Sequence, residues 1–526
     1  KSVLSTVAAH YIGQNPPIPF QFRAFDTRGF RALQNGQFNL NLSSKWPEAA
    51  PEQIVYICAR FYQAEAGSRI LDINCYGPTR IYVNGQEIFR SNVHEEVNSQ
   101  IGRQISMPFL PGLNSLVIGV KKVATGFGCR IGPYEARQRW ITFLSPFRER
   151  EGQAGFVYSN PVDHWLSEAS KWDLAASADA TGLSWFPDQS KDSTQLHTGY
   201  TVAWSCFRLS FPAQSIWKWQ AVESDAPLEM FIDGQIIQFH SKEASVKLEP
   251  GYHELALLLD QRCTGWKLTG SLANGEAIAF NLPHAVHGGK TPWLYLGPMD
   301  DRPDDLRRLL TLNALPCRKK PLYWRLSDHV FVRPYLENLC FGRWNYPLGV
   351  TLFGLLQTSR MLHRKDIEDY VLQHLTACVS LHEYSLWDEQ TYGFSEINAQ
   401  LVHMHMLDDC GSFGALMLEA AGDSPDESTL SVAHRIADHM LYHQERKPDG
   451  AFYRKLEGYF MENTLWVDDL YMSIPFLIRY SRLTQDERYL EDAVHQFLLY
   501  RQYLFMKEQA VMSHVYDFKY GTPTRI

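Results

Sequence analysis

Apolar residues change their spacing once along this chain. Over roughly the first 300 residues they come in short runs with period-two alternation, split by Gly, Pro and Asn, as half-buried strands require. RIYVNGQEIF (Arg80–Phe89) places two such runs around Asn84-Gly85, a strong hairpin signal. PGLNSLVIGV (Pro111–Val120) reads as a turn and a strand, and GFGCRIG (Gly126–Gly132) closes the unit. The same order returns in EMFIDGQIIQF (Glu229–Phe239), EPGYHELALLL (Glu249–Leu259) and GWKLTG (Gly265–Gly270). The repeat predicts two β-sandwich domains of related topology, spanning 1–150 and 151–300.

From about Asp304 the period becomes helical. DDLRRLLTLNAL (Asp304–Leu315), Gly349–His363, Ile367–Tyr384, Gly411–Gly422, Glu427–His443, Val467–Leu483 and Asp486–Phe505 each predict a helix, separated by short loops. Stacked antiparallel helix pairs of this kind suit an all-α toroid, assigned here to 301–526. Residues around 280–310, with PHAVHGGKTP and MDDRPDD, read as the linker.

Length and composition agree with several soluble domains: 526 residues, 45% hydrophobic and 21% charged. The net charge of −8 comes without a basic run or basic helix face, which argues against nucleic acid and anionic membrane surfaces as partners. No apolar run approaches the ~18–20 residues needed to span a bilayer. The opening KSVLSTVAAHYIGQNPPIPF is too short in its apolar part to read as a signal peptide. Nine scattered cysteines without a CxxC pair predict reduced thiols and favour the cytoplasm, or the periplasm if a leader has been removed. Aromatic content is 13%, with 14 Trp and 26 Tyr, which fits either sugar-stacking clefts or thick sandwich cores.

Four stretches in the helical part carry candidate chemistry. RWNYPLGV (Arg343–Val350) is an aromatic cluster entering a helix, with Trp344 and Tyr346 as either wall or core residues. MLDDCGSFGAL (Met406–Leu416) sets Asp408 and Asp409 at a helix start, where acids also serve as plain N-caps. LWVDDLYMS (Leu465–Ser473) sets Asp468 and Asp469 in an apolar helix among Trp466, Tyr471 and Met472. Acids in a first helical turn suit the dipole, but that alone does not explain bulky apolar neighbours. Adjacent residues point about 100° apart on a helix, so one acid can face a cavity while the other pairs elsewhere. SHVYDF (Ser513–Phe518) offers His514 and Asp517. His403, His405, Asp408 and Asp409 in HMHMLDD look ligand-rich; on one helix the two histidines face opposite sides, whereas a strand would align them, and no metal and no cofactor is expected. No phosphate loop, GxSxG elbow or Cys/His nucleophile pattern is present.

Taken together, WNYPLGV, LDDCGSFGA, LWVDDLYMSIPFL and SHVYDF resemble the unsaturated uronyl hydrolases, namely the rhamnogalacturonyl enzymes of glycoside hydrolase family 105 and their glucuronyl relatives of family 88. The resemblance covers roughly Leu310 to Ile526, and LWVDDLYM is its most specific part. The spacings suit the family layout: 468 − 409 = 59 residues and 514 − 468 = 46. The resemblance implies an (α/α)6 toroid with Asp468 as general acid/base and Asp409 as second carboxylate. It implies that His514 binds the sugar or its carboxylate, and that Trp344, Tyr346 and Trp466 form an aromatic wall. The N-terminal segments in turn look like the jelly-roll modules of many carbohydrate-active enzymes.

The implied reaction releases a 4,5-unsaturated uronic acid from the non-reducing end of lyase-generated oligosaccharides, pectin rhamnogalacturonan by default. The family hydrates the vinyl ether, and an acid that protonates carbon must start neutral, which apolar surroundings and a second carboxylate favour. An oligosaccharide carrying such a residue is the implied partner, and a homodimer stays open. Two departures stand out. Tyr516 occupies a position where the family usually has Trp, and the chain stops at GTPTRI, before a stretch expected to carry the arginine for the substrate carboxylate. The toroid is therefore expected to be incomplete here. A uronate lyase on a similar toroid and a non-catalytic carbohydrate-binding protein are the competing readings.

Overall fold

The computed structural model describes residues 1–524 apart from 93–96, 134–140, 189–197, 313–321, 337–340, 342–343 and 456–460. It divides into two compact units. One joins Lys1–Pro19, Leu336–Leu386 and Ser395–Ile526; the other joins Phe20–Tyr335 and Trp387–Phe394.

The second unit is built mostly of strands in sheets. In its first half, Ile54–Gln63 pairs with Gly112–Lys121, which pairs with Thr79–Val83 and then Gln86–Arg90. A separate sheet holds Gly67–Cys75 between Arg103–Phe109 and Gly128–Pro133. One apolar cluster draws on both, with Ile57, Ile81 and Ile118 from one sheet and Leu71, Met107 and Ile131 from the other. In the second half the pairing order repeats strand for strand. Tyr200–Leu209, Gly251–Leu259, Glu229–Ile232 and Gln235–Ile236 are neighbours in that order. Ala213–Gln220 lies between Glu243–Leu248 and Lys267–Leu272. Here Phe207, Met230 and Leu257 meet Trp217, Ala244 and Leu268. Both hairpins turn on residues with positive φ, Asn84 (49°) and Gly85 (81°) in one, Asp233 (52°) and Gly234 (77°) in the other. That pair of left-handed residues matches the twist of the strands it joins.

The change from strand to helix comes later than the periodicity predicts. Leu294–Met299, inside the expected linker, is a strand paired with Tyr200–Leu209, and Val330–Tyr335 pairs with Gln21–Asp26. The predicted helix Asp304–Leu315 is instead a single 3-10 turn at Leu306–Arg308, and its residues 313–315 lie outside those described. The Asp305 carboxylate accepts from the Arg307 backbone N–H, a local bond that competes with helix. Leu306 and Leu312 bury against Trp204, Leu296 and Val332, so their spacing reflects a β-side core.

The first unit is helical: α1 (Ser2–Gln14), α2 (Tyr346–Leu362), α3 (Lys365–Ser380), α4 (His382–Tyr392, its last turn grouped with the strands), α5 (Ala399–Val402), α6 (Leu407–Ala421), α7 (Glu427–Asp438), α8 (Val467–Thr484) and α9 (Glu487–Leu504). Helix α1 lies where the sequence suggested strand-rich structure. The Tyr370 hydroxyl on α3 donates to the Asn15 carbonyl just past its end (2.7 Å), and Ala8 joins the core of the helical unit.

Helices α6 and α8 pack closely because α6 has glycines one turn apart. A Cβ on Gly411 would lie 2.5 Å from the Met472 carbonyl oxygen, and one on Gly414 would lie 2.5 Å from the Phe476 ring. This approach brings the acidic first turns of the two helices together. Gly411→Ala is expected to force them apart and lower stability by about 1–3 kcal/mol. Urea unfolding measures this, and an unchanged midpoint would refute the close packing.

Candidate active site

Helix α8 starts where a short sheet ends. Thr464–Trp466 pairs with Val515–Asp517, which pairs with Thr522–Thr524. The Val467 N–H then donates to the His514 carbonyl (2.9 Å), fixing the first turn beside the histidine. Asp468 and Asp469 occupy that turn, and Asp408 and Asp409 the same turn of α6.

The two α8 acids have opposite surroundings. Asp469 is 2% exposed, and both its oxygens accept from Arg454, from Nε at 2.8 Å and from Nη2 at 2.8 Å. The same Nη2 donates to Asp408 Oδ1 at 3.0 Å. One guanidinium thus faces two buried carboxylates. Burial, reinforced by Asp408, pushes the Asp469 carboxyl up to about 7 against the pull of Arg454. A bidentate, water-excluded acid of this kind has no open oxygen to offer a ligand. Asp468 keeps 39% of its side chain exposed, and its Oδ2 lies 2.5 Å from His514 Nε2. Of these two acids, Asp468 is the one a dissolved molecule can reach.

Trp466 links the two acids. Its ring centroid is 5.0 Å from the Arg454 guanidinium carbon, and it meets the His514 ring edge-on at 5.1 Å. Asp409 is buried, and its Oδ1 accepts the Tyr346 backbone N–H at 2.8 Å. The Trp344 indole N–H donates to the Asp409 carbonyl (3.1 Å), and its ring packs edge-on against Phe413 at 4.4 Å. Trp344 is fully buried, so it supports Asp409 from behind and offers no face to a sugar, contrary to its expected place in an aromatic wall. Tyr346 is 36% exposed and retains an accessible ring. Tyr471 is 65% exposed, so it is no part of a buried apolar surround for the acids.

Arg454 was not singled out from the sequence, and Asp408 was read there only as one of an adjacent acidic pair. Charge balance offered a signal, since acids in apolar helices demand a cation, but it does not name one. His403 and His405 stack at 5.3 Å in the loop before α6. Among the described residues no group of His, Cys, Asp or Glu is arranged to hold a metal ion. A cavity of about 400 Å³ beside Arg454 is lined by His405, His439, His443, Tyr453 and Lys455.

The triad carries a pH signature. An acid whose folded pKa rises from 3.8 to about 7 stabilises the fold fully below pH ~4, and that contribution is lost as pH rises through about 7. Buried His374 and His382 and half-buried His403 and His439, lowered by desolvation to about 3–4, act with the opposite sign below about pH 6.5. Asp408→Asn leaves those histidines in place and removes a charge that raises Asp469. Its stability is expected to fall less between pH 5 and 7.5 than that of the unaltered protein, measured by urea unfolding at both values. Parallel pH dependences would refute Asp408 as a cause of the raised Asp469 pKa.

Residues 335–524 match the family model for Glycosyl Hydrolase Family 88. Among solved structures, the chain is similar to a possible member of the GH105 family from Klebsiella pneumoniae, at 16% identity and TM-score 0.28, over 34% of this chain and 41% of that one. A family 105 glycoside hydrolase from C. acetobutylicum aligns at 19% identity and TM-score 0.27, over 34% of this chain and 44% of that one. A GH78 family rhamnosidase of Bacillus sp. GL1 aligns at 10% identity and TM-score 0.22, over 89% of this chain and 77% of that one. The chain therefore spans less than half of the two family 105 structures. The family 88 match lies within the part of the chain that carries the acidic pairs of α6 and α8.

Proposed function

We propose that this protein hydrolyses oligosaccharides ending in a 4,5-unsaturated uronic acid, by hydrating the C4=C5 vinyl ether with Asp468 as general acid/base. The helices would form part of an α/α toroid, and rhamnogalacturonan fragments from pectin are the first substrates to try. One observation carries the reading: within the family-matched region Asp468 is half-exposed and shares a 2.5 Å hydrogen bond with His514, whereas Asp408, Asp409 and Asp469 are buried.

The chemistry follows from that pair. In its neutral form Asp468 protonates C4, and positive character develops at C5, next to the ring oxygen. Water adds at C5 and returns its proton to Asp468, so the enzyme regains its starting state. The C5 hemiketal opens and expels the remaining sugar chain. His514, on the same carboxyl, orients it and takes up part of the proton's charge during the transfer. Asp409 serves as the second carboxylate through the α2 entrance it braces, and Tyr346 and Trp466 supply ring surfaces for the sugar.

Hydration removes the conjugated double bond and its ultraviolet absorbance. Incubation with lyase-digested rhamnogalacturonan is expected to lower that absorbance, and Asp468→Asn to reduce the rate by at least about 10²–10⁴-fold without unfolding the protein. A near-normal rate in that variant would sink the assignment. A rise in absorbance would mark a lyase, and no change across pectin and glucuronyl substrates would favour a binding protein.

A further inference from the structure

Arg454 is more elaborately held than stability requires. Its side chain and those of Asp408 and Asp469 are each no more than 6% exposed. Buried ion clusters of this kind are often matched or bettered in stability by well-packed apolar residues. What the cluster does hold is a plane. The guanidinium is fixed in a fork by both Asp469 oxygens, a geometry lysine cannot reproduce.

That plane is tied to Trp466 in two ways. The ring lies 5.0 Å from the guanidinium carbon. The Arg454 backbone also exchanges hydrogen bonds with Thr464, at 2.7 and 3.2 Å, and the Thr464 hydroxyl accepts the Trp466 indole N–H at 2.8 Å. The Trp466 ring in turn abuts His514, whose Nε2 is 2.5 Å from Asp468. The contacts run unbroken from the buried pair to the reachable acid.

We propose that Arg454, clamped by Asp469 and Asp408, is a positioning residue for Asp468, acting through Trp466 and the ring of His514. The part played in turnover rests on Asp468 being the acid of the proposed hydration; the positioning of His514 does not.

Two variants of the full chain test this. Arg454→Lys keeps the charge and loses the fork. The triple change Arg454→Met, Asp408→Leu, Asp469→Leu removes every charge of the cluster and guards against a variant that fails for want of a partner. Each is expected to lower kcat about 10–100-fold on the unsaturated oligosaccharides while KM changes less than about threefold. Adding Trp466→Phe to Arg454→Lys is expected to cost less than the product of the two separate losses, as for groups acting in one chain. Independently of turnover, histidine-labelled protein reports the His514 ring nitrogens by NMR, assigned as the signals missing in His514→Gln. Those signals are expected to move in both cluster variants. Wild-type turnover with unmoved His514 signals and unchanged kcat in a folded variant would overturn the proposal. If the unaltered protein does not turn over these substrates, the hydrolase reading fails, and the His514 signals alone decide whether Arg454 positions that ring.

Discussion

Two carboxylates from different helices meet one guanidinium where water hardly reaches. That contact needs three separate arrangements at once. Gly411 and Gly414 must let α6 lie against α8, the first turns of both helices must start level, and the segment carrying Arg454 must cross between them. The arrangement is fragile in a specific way. With all three groups present the cation has an ionic partner and a hydrogen-bonded one, but without it the two buried acids lose their donor, a loss worth about 3–5 kcal/mol when a buried pair is broken.

The same contact separates two neighbours in sequence into different kinds of acid. Asp468 and Asp469 differ by one step of about 100° on the helix. That rotation takes one into the packed side of α8 and leaves the other beside the short sheet that carries His514. The buried acid retains a proton near neutral pH because burial and a like charge outweigh its arginine, while the outer one has a histidine and solvent for company. A pair of identical residues thus yields one structural and one reachable carboxylate.

Much of this was written locally, and the rest was not. The hairpins were legible because Asn84-Gly85 and Asp233-Gly234 meet a backbone demand confined to the turn. Most helices from α2 onward were legible from their period. Asp304–Leu315 misled because leucines that bury against strands can imitate a helical spacing. Helix α1 escaped notice although Val3, Leu4, Val7, Ala8, Tyr11 and Ile12 recur at helical spacing, because a single short segment ahead of a long strand-rich region was read with that region. The acidic pairs declared themselves as anomalies, but their cation sits 15 residues from Asp469 and 46 from Asp408, and only the fold joins them. Trp344 was given a place in an aromatic wall by the family resemblance alone, since the local sequence fits a covered ring as well as an open one.

Helix α1 has a consequence for synthesis. Its end is held by Tyr370, 355 residues further along the chain. At ~5–20 residues per second a ribosome takes roughly 20–70 s to make that distance. During this interval the helix has emerged without the surface it belongs to, while the intervening strands are already free to pair. Ala8, Tyr11 and Ile12 then stay open to other chains or to chaperones until α2 and α3 are made. The helical unit is therefore completed by its earliest segment waiting for later ones, a timing problem built into the order of the chain.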